Sequence, residues 1–228
     1  MYRVAACLLL IAPPFAAAQT TDLLADKSLR AWESIGDGVW TVMRDGTLVG
    51  QRDVIKNKPD RSWTEDQYNQ WMYRQAWLYT RNTYDEFDLH LEYWLRRGGN
   101  SGVSIRDATR AQGAVSSPPV FSRTPAHVGY EIQLEDQYPD HAPDQYPSGS
   151  VYLFAAAKTG YQVNDDWNSL DLEVRRELIR VRLNGTIVAE HPGVPDRPKT
   201  GPIGLQLHDQ NSVAMFRNIR IKEIRRVR

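Results

Sequence analysis

"LIRVRLNGTIVAEH", residues 178–191, reads as two short strands folded back on each other. Ile179, Val181 and Leu183 alternate with polar neighbours up to Asn184-Gly185, and Ile187 and Ala189 resume the series beyond it. Asn-Gly tolerates the two positive φ angles of a type I′ turn, so a two-residue hairpin is predicted. The same punctuation recurs in both directions. "EFDLHLEYWL" (86–95) sets Phe87, Leu89, Leu91, Tyr93 and Leu95 against Asp88, His90, Glu92 and Trp94. "GVWTVMRDGTLVG" (38–50) predicts a second hairpin, with Asp45-Gly46 supplying positive φ angles. "VSIRD", "GYEIQLED" (129–136), "SGSVYLFAA" (148–156), "DLEVR", "GPIGLQLHD" (201–209) and "VAMFRNIRIKEI" (213–224) are read as further strands. One stretch departs. "TEDQYNQWMYRQ" (64–75) has Thr64 and Gln67 spaced as a capping box and no turn residue inside, which predicts a short helix. About ten closely spaced strands imply an all-β fold: a two-sheet antiparallel jelly-roll sandwich with one short helical insertion near 64–75.

The first eighteen residues, "MYRVAACLLLIAPPFAAA", carry one positive charge, a short apolar run and a small-residue ending. They read as a secretory signal cut before Gln19, which predicts a periplasmic or secreted protein. The run is too short and too broken by Pro13 and Pro14 to predict a membrane span. The single cysteine, Cys7, lies inside it, so a mature chain would have no disulfide, thiolate nucleophile or Cys-ligated zinc. The remainder is expected to form a single domain over residues 22–226. Lysines and arginines number 28 and acidic residues 28, a balance that gives no reason to expect nucleic acid or anionic lipid as a partner. Seven Trp, eleven Tyr and five Phe are enough to build a core without cross-links.

"GYEIQLED" places Glu131, Gln133 and Glu135 on one side of a strand and Tyr130, Ile132 and Leu134 on the other. Periodicity establishes only that the strand has a polar face, which is either solvated or the floor of a groove. Other signposts follow in order: "NSGVSIRD" (100–107), "SGSVYLFAA", "DDWNSLDLEV", "VRLNGTIVAE" and "GPIGLQLHDQNSVAMFRNIRIKEI". Together they resemble the 3-keto-disaccharide hydrolase domain family over roughly residues 22 to 224. The match rests on their order and spacing rather than on one decisive motif. The resemblance implies a concanavalin A-like jelly roll, exported by bacteria, cleaving glycosides already oxidised at C3 by an upstream sugar 3-dehydrogenase. The longer segment between 51 and 76, and Ser150-Val151 ahead of Tyr152, depart from the common pattern and bear on substrate range.

Classical glycosidases use two carboxyl groups, about 5–5.5 Å or about 6.5–9.5 Å apart. Glu131 and Glu135 are roughly 13 Å apart at about 3.3 Å per residue, with an amide between them, so this strand alone does not supply such a pair. A 3-keto sugar needs less. The ketone acidifies the C2 hydrogen, so one base, an enolate partner and an acid for the leaving group suffice. Glu131 is the candidate base and His208 the candidate acid or enolate partner. Asn100, Ser101, Arg106, Gln133, Glu135 and Tyr152 are the candidate substrate contacts. Each has a plainer reading: Glu131 as a solvated strand residue, His208 as a partner of Asp209, Arg106 as half of an ion pair, Tyr152 as core. The sequence identifies no cofactor. A divalent metal is left open, with Glu131, Glu135, Asp136, His141 and His208 as the oxygen and nitrogen donors available. A non-catalytic carbohydrate-binding module or lectin, and a conventional β-glycanase on the same fold, are the alternatives.

Overall fold

The computed structural model describes residues 19–53, 58–136 and 144–224. The signal-like segment and His141 lie outside the described residues. Thirteen strands are found among the described residues. In chain order they are β1 (Thr20–Asp22), β2 (Trp32–Ile35), β3 (Gly38–Val42), β4 (Leu48–Arg52), β5 (Ala76–Thr80), β6 (Phe87–Leu95) and β7 (Asn100–Ile105). After them come β8 (Tyr130–Glu135), β9 (Asn168–Arg175), β10 (Leu178–Leu183), β11 (Thr186–His191), β12 (Ile203–Leu207) and β13 (Val213–Glu223). They form two antiparallel sheets. The larger runs β11-β10-β9-β6-β13-β4-β3, with β1 also paired to β13, and the smaller runs β2-β5-β12-β7-β8. This is the expected two-sheet sandwich.

The alternation in β6 dictates its burial: Phe87, Leu89, Leu91, Tyr93 and Leu95 are buried and the residues between them half-buried. They meet Leu170, Leu172 and Val174 of β9 and Val103, Ile105, Ile132 and Leu134 of the opposite sheet in one core. Two irregularities keep that core filled where strict alternation fails. In β11 the pairing slips between Val181↔Ala189 and Arg182↔Ile187, so Val188 is an extra residue and both Val188 and Ala189 are buried. In β13 the slip lies between Arg217 and Arg220, where Asn218 adopts φ 54 and donates to Glu92. Phe216 before it and Ile219 and Ile221 after it therefore all reach the core.

The Asn184-Gly185 turn has φ of 48 and 80, as a type I′ turn requires. The other hairpin differs from expectation. Only Gly46 has positive φ (93); Asp45 instead accepts the backbone N–H of Thr47 at 2.9 Å, closing a longer loop. The helix is α1 (Glu65–Met72), with the Thr64/Gln67 capping box formed in both directions. "SGSVYLFAA" is not a strand. Val151 makes only isolated bridges, to Ile132 and Ala155, and the chain turns at Leu153 with φ 70. Two further short helices, α2 (Gln112–Val115) and α3 (Pro125–Val128), lie in the long connection between β7 and β8. No helix among the described residues is long and apolar enough to cross a membrane.

Candidate functional site

In the smaller sheet the core takes Tyr130, Ile132 and Leu134 of β8, Val103 and Ile105 of β7, and Leu205 and Leu207 of β12. Alternation then sends the intervening residues to the outer face. The pairings Ser104↔Glu131, Gly204↔Ser104 and Gly204↔Tyr79 set Glu131, Ser104, Gly204 and Tyr79 in one row across four strands. Gln206, Gly102 and Gln133 lie beside it. This polar face is covered rather than wet: Glu131 is 5 % exposed, Gln133 4 % and Gln206 1 %. Ala111 and Ala114, at α2, pack on Trp77 and Tyr79 of β5 and close one flank.

Above Glu131 opens a cavity of about 420 Å³. Its walls include Glu131, Gln133, Asn100, Tyr152 and His208. Five of the eight candidate residues therefore share one space. Ser101, Arg106 and Glu135 do not. Ser101 has the opposite parity to Asn100 and its hydroxyl donates across to the Gln206 carbonyl at 2.7 Å, pinning β7 to β12. Arg106, at φ 61, turns off the end of β7 and is fully buried. It donates to the Arg175 carbonyl at 2.8 Å, so it is neither a sugar contact nor half of a surface pair. Glu135 lines a neighbouring cavity of about 300 Å³ with Lys158 and Gln162.

The electrostatics single out Glu131. Burial pushes its carboxyl up to about 7, and the negative charge of Asp107 adds to this. The positive field of His208 and the nearby Gln206 amide pull part of the way back. A carboxyl poised near neutrality in a cavity is suited to exchanging protons. Room for it is made by Gly102: a Cβ there would stand 2.8 Å from Glu131 Oε1 and 3.2 Å from Gln206 Oε1. Beneath the row, the Tyr79 hydroxyl lies 3.2 Å from Ser104 Oγ and donates to Asp107 at 2.9 Å. Asp107 also accepts from Thr109 and the Ala111 amide, so it anchors the loop and does not reach the cavity. His208 Nδ1 lies 3.3 Å from Asp209, and the Tyr73 ring stands edge-on to the imidazole at 6.3 Å. Burial opposes the charge on Asp209, but bonds from His208, the Asn211 amide and Ser212 outweigh it and hold the carboxyl below its usual range.

Sequence reasoning missed Tyr73, Gln75, Phe121, Thr124, His127, Asp144 and Leu153, which complete the cavity from loops and short helices. Thr124 Oγ1 and His127 Nδ1 lie 2.8 Å apart. Gln206 was findable. In "LQLHD" it has the parity of His208, and its buried amide lies against Glu131 and favours the charged carboxylate. Asn100 Oδ1, which lines the cavity, is buried without a hydrogen-bond partner among the described residues. A buried amide oxygen left unpaired at a cavity wall is ready to accept from a ligand's hydroxyl. For a metal the geometry offers less. Among the described residues no three acidic, His or Cys side chains converge. Asp136 accepts from the Asp165 amide at 3.0 Å, away from Glu131 and His208. A larger hollow of about 770 Å³ lies on the outer face of the other sheet. Its charges largely satisfy one another, as in Arg175–Asp88 and His90–Asp171, both at 2.7 Å, which describes a solvated face.

Among solved structures, a candidate glycosyl hydrolase from Parabacteroides distasonis ATCC 8503 is similar, with a TM-score of 0.63 at 22% identity over 90% of this chain and 100% of that one. A Bacillus subtilis protein of unknown function with a galectin-like fold gives 0.61 at 14% over 92% and 98%. Carbohydrate binding module CBM66 from Bacillus subtilis gives 0.56 at 14% over 86% and 97%. At these identities the likeness is one of fold, and it agrees with the jelly-roll sandwich. No curated protein matches. The model of the 3-keto-alpha-glucoside-1,2-lyase-like domain matches residues 19–222, and the chain belongs to that family.

Proposed function

We propose that this protein is an exported enzyme that cleaves 3-keto-glycosides, with Glu131 as the base. The observation that carries the reading is one buried carboxyl at the floor of a cavity, held near neutrality, with His208 on the same wall and the cavity's other carboxyl, Asp144, exposed at the rim. Glu131 removes the C2 proton, and the electron pair moves onto the C3 oxygen as an enolate. The enolate then collapses, C1=C2 forms and the C1–O bond breaks. His208 gives a proton to the departing oxygen. Water adding at C1, with a proton returned to C2, yields the free 3-keto sugar. Asn100 Oδ1, buried without a partner among the described residues at the cavity wall, is suited to accept from a ring hydroxyl. The ketone must be supplied by a sugar 3-dehydrogenase acting upstream, and export by the N-terminal segment puts the reaction in the periplasm or outside the cell.

The test is product analysis by mass on plain and C3-oxidised disaccharides in deuterated water. Cleavage of only the oxidised sugar, with deuterium at C2, is expected. Cleavage of the plain sugar would point to a conventional glycanase. Binding without turnover, unaffected by Glu131→Gln, would point to a lectin.

A further inference from the structure

The floor of the cavity is polar, and its rim combines three large apolar side chains with the exposed polar groups of His127 and Asp144. Tyr73, Phe121 and Leu153 all line it, and they are 47 %, 58 % and 37 % exposed. They arrive from three separate segments: the C-cap of α1, the 3-10 turn Phe121–Arg123, and the turn following Val151. Three unconnected loops presenting apolar groups at one mouth is not the ordinary scatter of surface hydrophobics. Leu153 adds an independent sign. A branched, exposed residue at φ 70 occupies backbone territory that favours glycine or asparagine. The turn is fixed by the N–H groups of Phe154 and Ala155, both bonded to the Val151 carbonyl at 2.9 Å. Strained positions of this kind concentrate where a side chain must be presented to a ligand.

We propose that this collar receives the leaving group, and that the preferred substrates are glycosides of an apolar, aromatic alcohol rather than disaccharides. The inference rests on the reading of the cavity as the glycoside-cleaving site. A sugar entering glycone-first puts its hydroxyls against Asn100 and Gln133 and its C1 substituent outward at the rim. A second sugar there would draw on His127 and Asp144 for its hydroxyls and leave the hydrocarbon of Phe121 and Leu153 against polar groups. An aryl ring needs only apolar contact. The same Tyr73 face can stack on a second sugar, so the test must separate the two.

Titration calorimetry of the full chain with unoxidised phenyl, methyl and glucosyl glucosides, in both anomers, reads the collar without chemistry. The phenyl compound is expected to bind at least about tenfold tighter than the methyl one, and tighter than the disaccharide. Phe121→Ala and Leu153→Gly are each expected to remove most of that phenyl-over-methyl ratio. Both side chains are exposed and glycine suits φ 70, so the variants fold, which thermal melting checks. A phenyl compound that fails to bind, a ratio that survives both substitutions, or a disaccharide that binds best would each overturn the proposal. Deuterium incorporation at C2 of methyl 3-keto-glucoside by the unmodified protein tests Glu131 separately, because that substrate has no group to fill the collar.

Discussion

Replacing Glu131 by glutamine should stabilise the protein while removing its activity, and the stabilisation should appear only above mildly acidic pH. In the folded protein the carboxyl is raised from 4.5 to about 7 by burial. Between those values the folded state holds a proton that the unfolded chain has released, so stability falls as pH rises through this window. Above about pH 7 the folded protein carries the full cost of a buried charge. The gap between 4.5 and about 7 corresponds to about 3 kcal/mol. Glutamine keeps the shape of the protonated acid and carries no charge at any pH. Below about pH 4 the two proteins should therefore be equally stable within about 0.5 kcal/mol. At pH 8.5 the variant should be more stable by up to about 3 kcal/mol, and each kcal/mol raises Tm by about 2–4 °C in a chain of this size. Urea and thermal unfolding of both proteins at pH 4, 6 and 8.5 measure the difference, and subtraction removes every other titrating group they share. A stability difference that is flat across pH, or that grows toward acid, would refute the reasoning. Turnover supplies the second half. For the unmodified protein kcat/KM should climb with pH through about 7, and Glu131→Gln should lower it by about 10²–10⁴-fold.

Gly102→Ala should leave the sheet intact but push Glu131 Oε1, only 2.8 Å from the new methyl, off its position; a loss of about 10²-fold in kcat with little change in KM is expected from steady-state kinetics. Tyr79→Phe removes a buried hydroxyl that bonds Ser104 and Asp107, and chemical denaturation should register a loss of about 1–3 kcal/mol. Arg106→Ala should destabilise by about 2–4 kcal/mol, because the guanidinium is fully buried and bonded to the Arg175 carbonyl. It lies outside the cavity, so kcat per folded molecule should be unchanged; a selective rise in KM would instead restore it as a sugar contact.

The sandwich was legible because its signals are local. The parity of "EFDLHLEYWL" and the Asn-Gly of the β10–β11 hairpin act within a few residues, and tertiary packing had no reason to override them. Where the reading failed, the deciding geometry was nonlocal or fell on an unmarked backbone. "SGSVYLFAA" has the composition of a strand, and nothing in it announces that Leu153 will take a positive φ. Val188 is an extra residue only in relation to the partner strand. Within the site, strand residues were legible and loop residues were not. The shared face of Glu131 and Gln133 follows from alternation. Ser101 was misplaced because it was grouped with its neighbour Asn100, whereas β7 begins at Asn100 and gives the two residues opposite faces. Tyr73, Phe121 and Leu153 reach the cavity from segments separated by dozens of residues, which no periodicity records.

The same distribution explains how one fold can carry both halves of the proposed glycoside site. A strand in the smaller sheet must bury its inward residues, here Tyr130, Ile132 and Leu134, and this fixes the outward residues to about 3.3 Å of rise per position. Such a face is rigid, and it suits the reacting sugar, whose C2 hydrogen must meet a carboxyl within hydrogen-bond reach. Rigidity also lets Gly102 and Gly204 be used as spacers: a Cβ at Gly204 would meet the Tyr79 ring at 2.5 Å, and one at Gly102 would meet Glu131. The rim comes from connections that can change length and composition without disturbing the core. Chemistry on the sheet and selectivity on the loops is therefore a consequence of where the backbone is constrained. Substitution at Phe121 or Leu153 should retune which leaving group is accepted, whereas substitution at Gly102 or Glu131 should slow the reaction for every one of them alike.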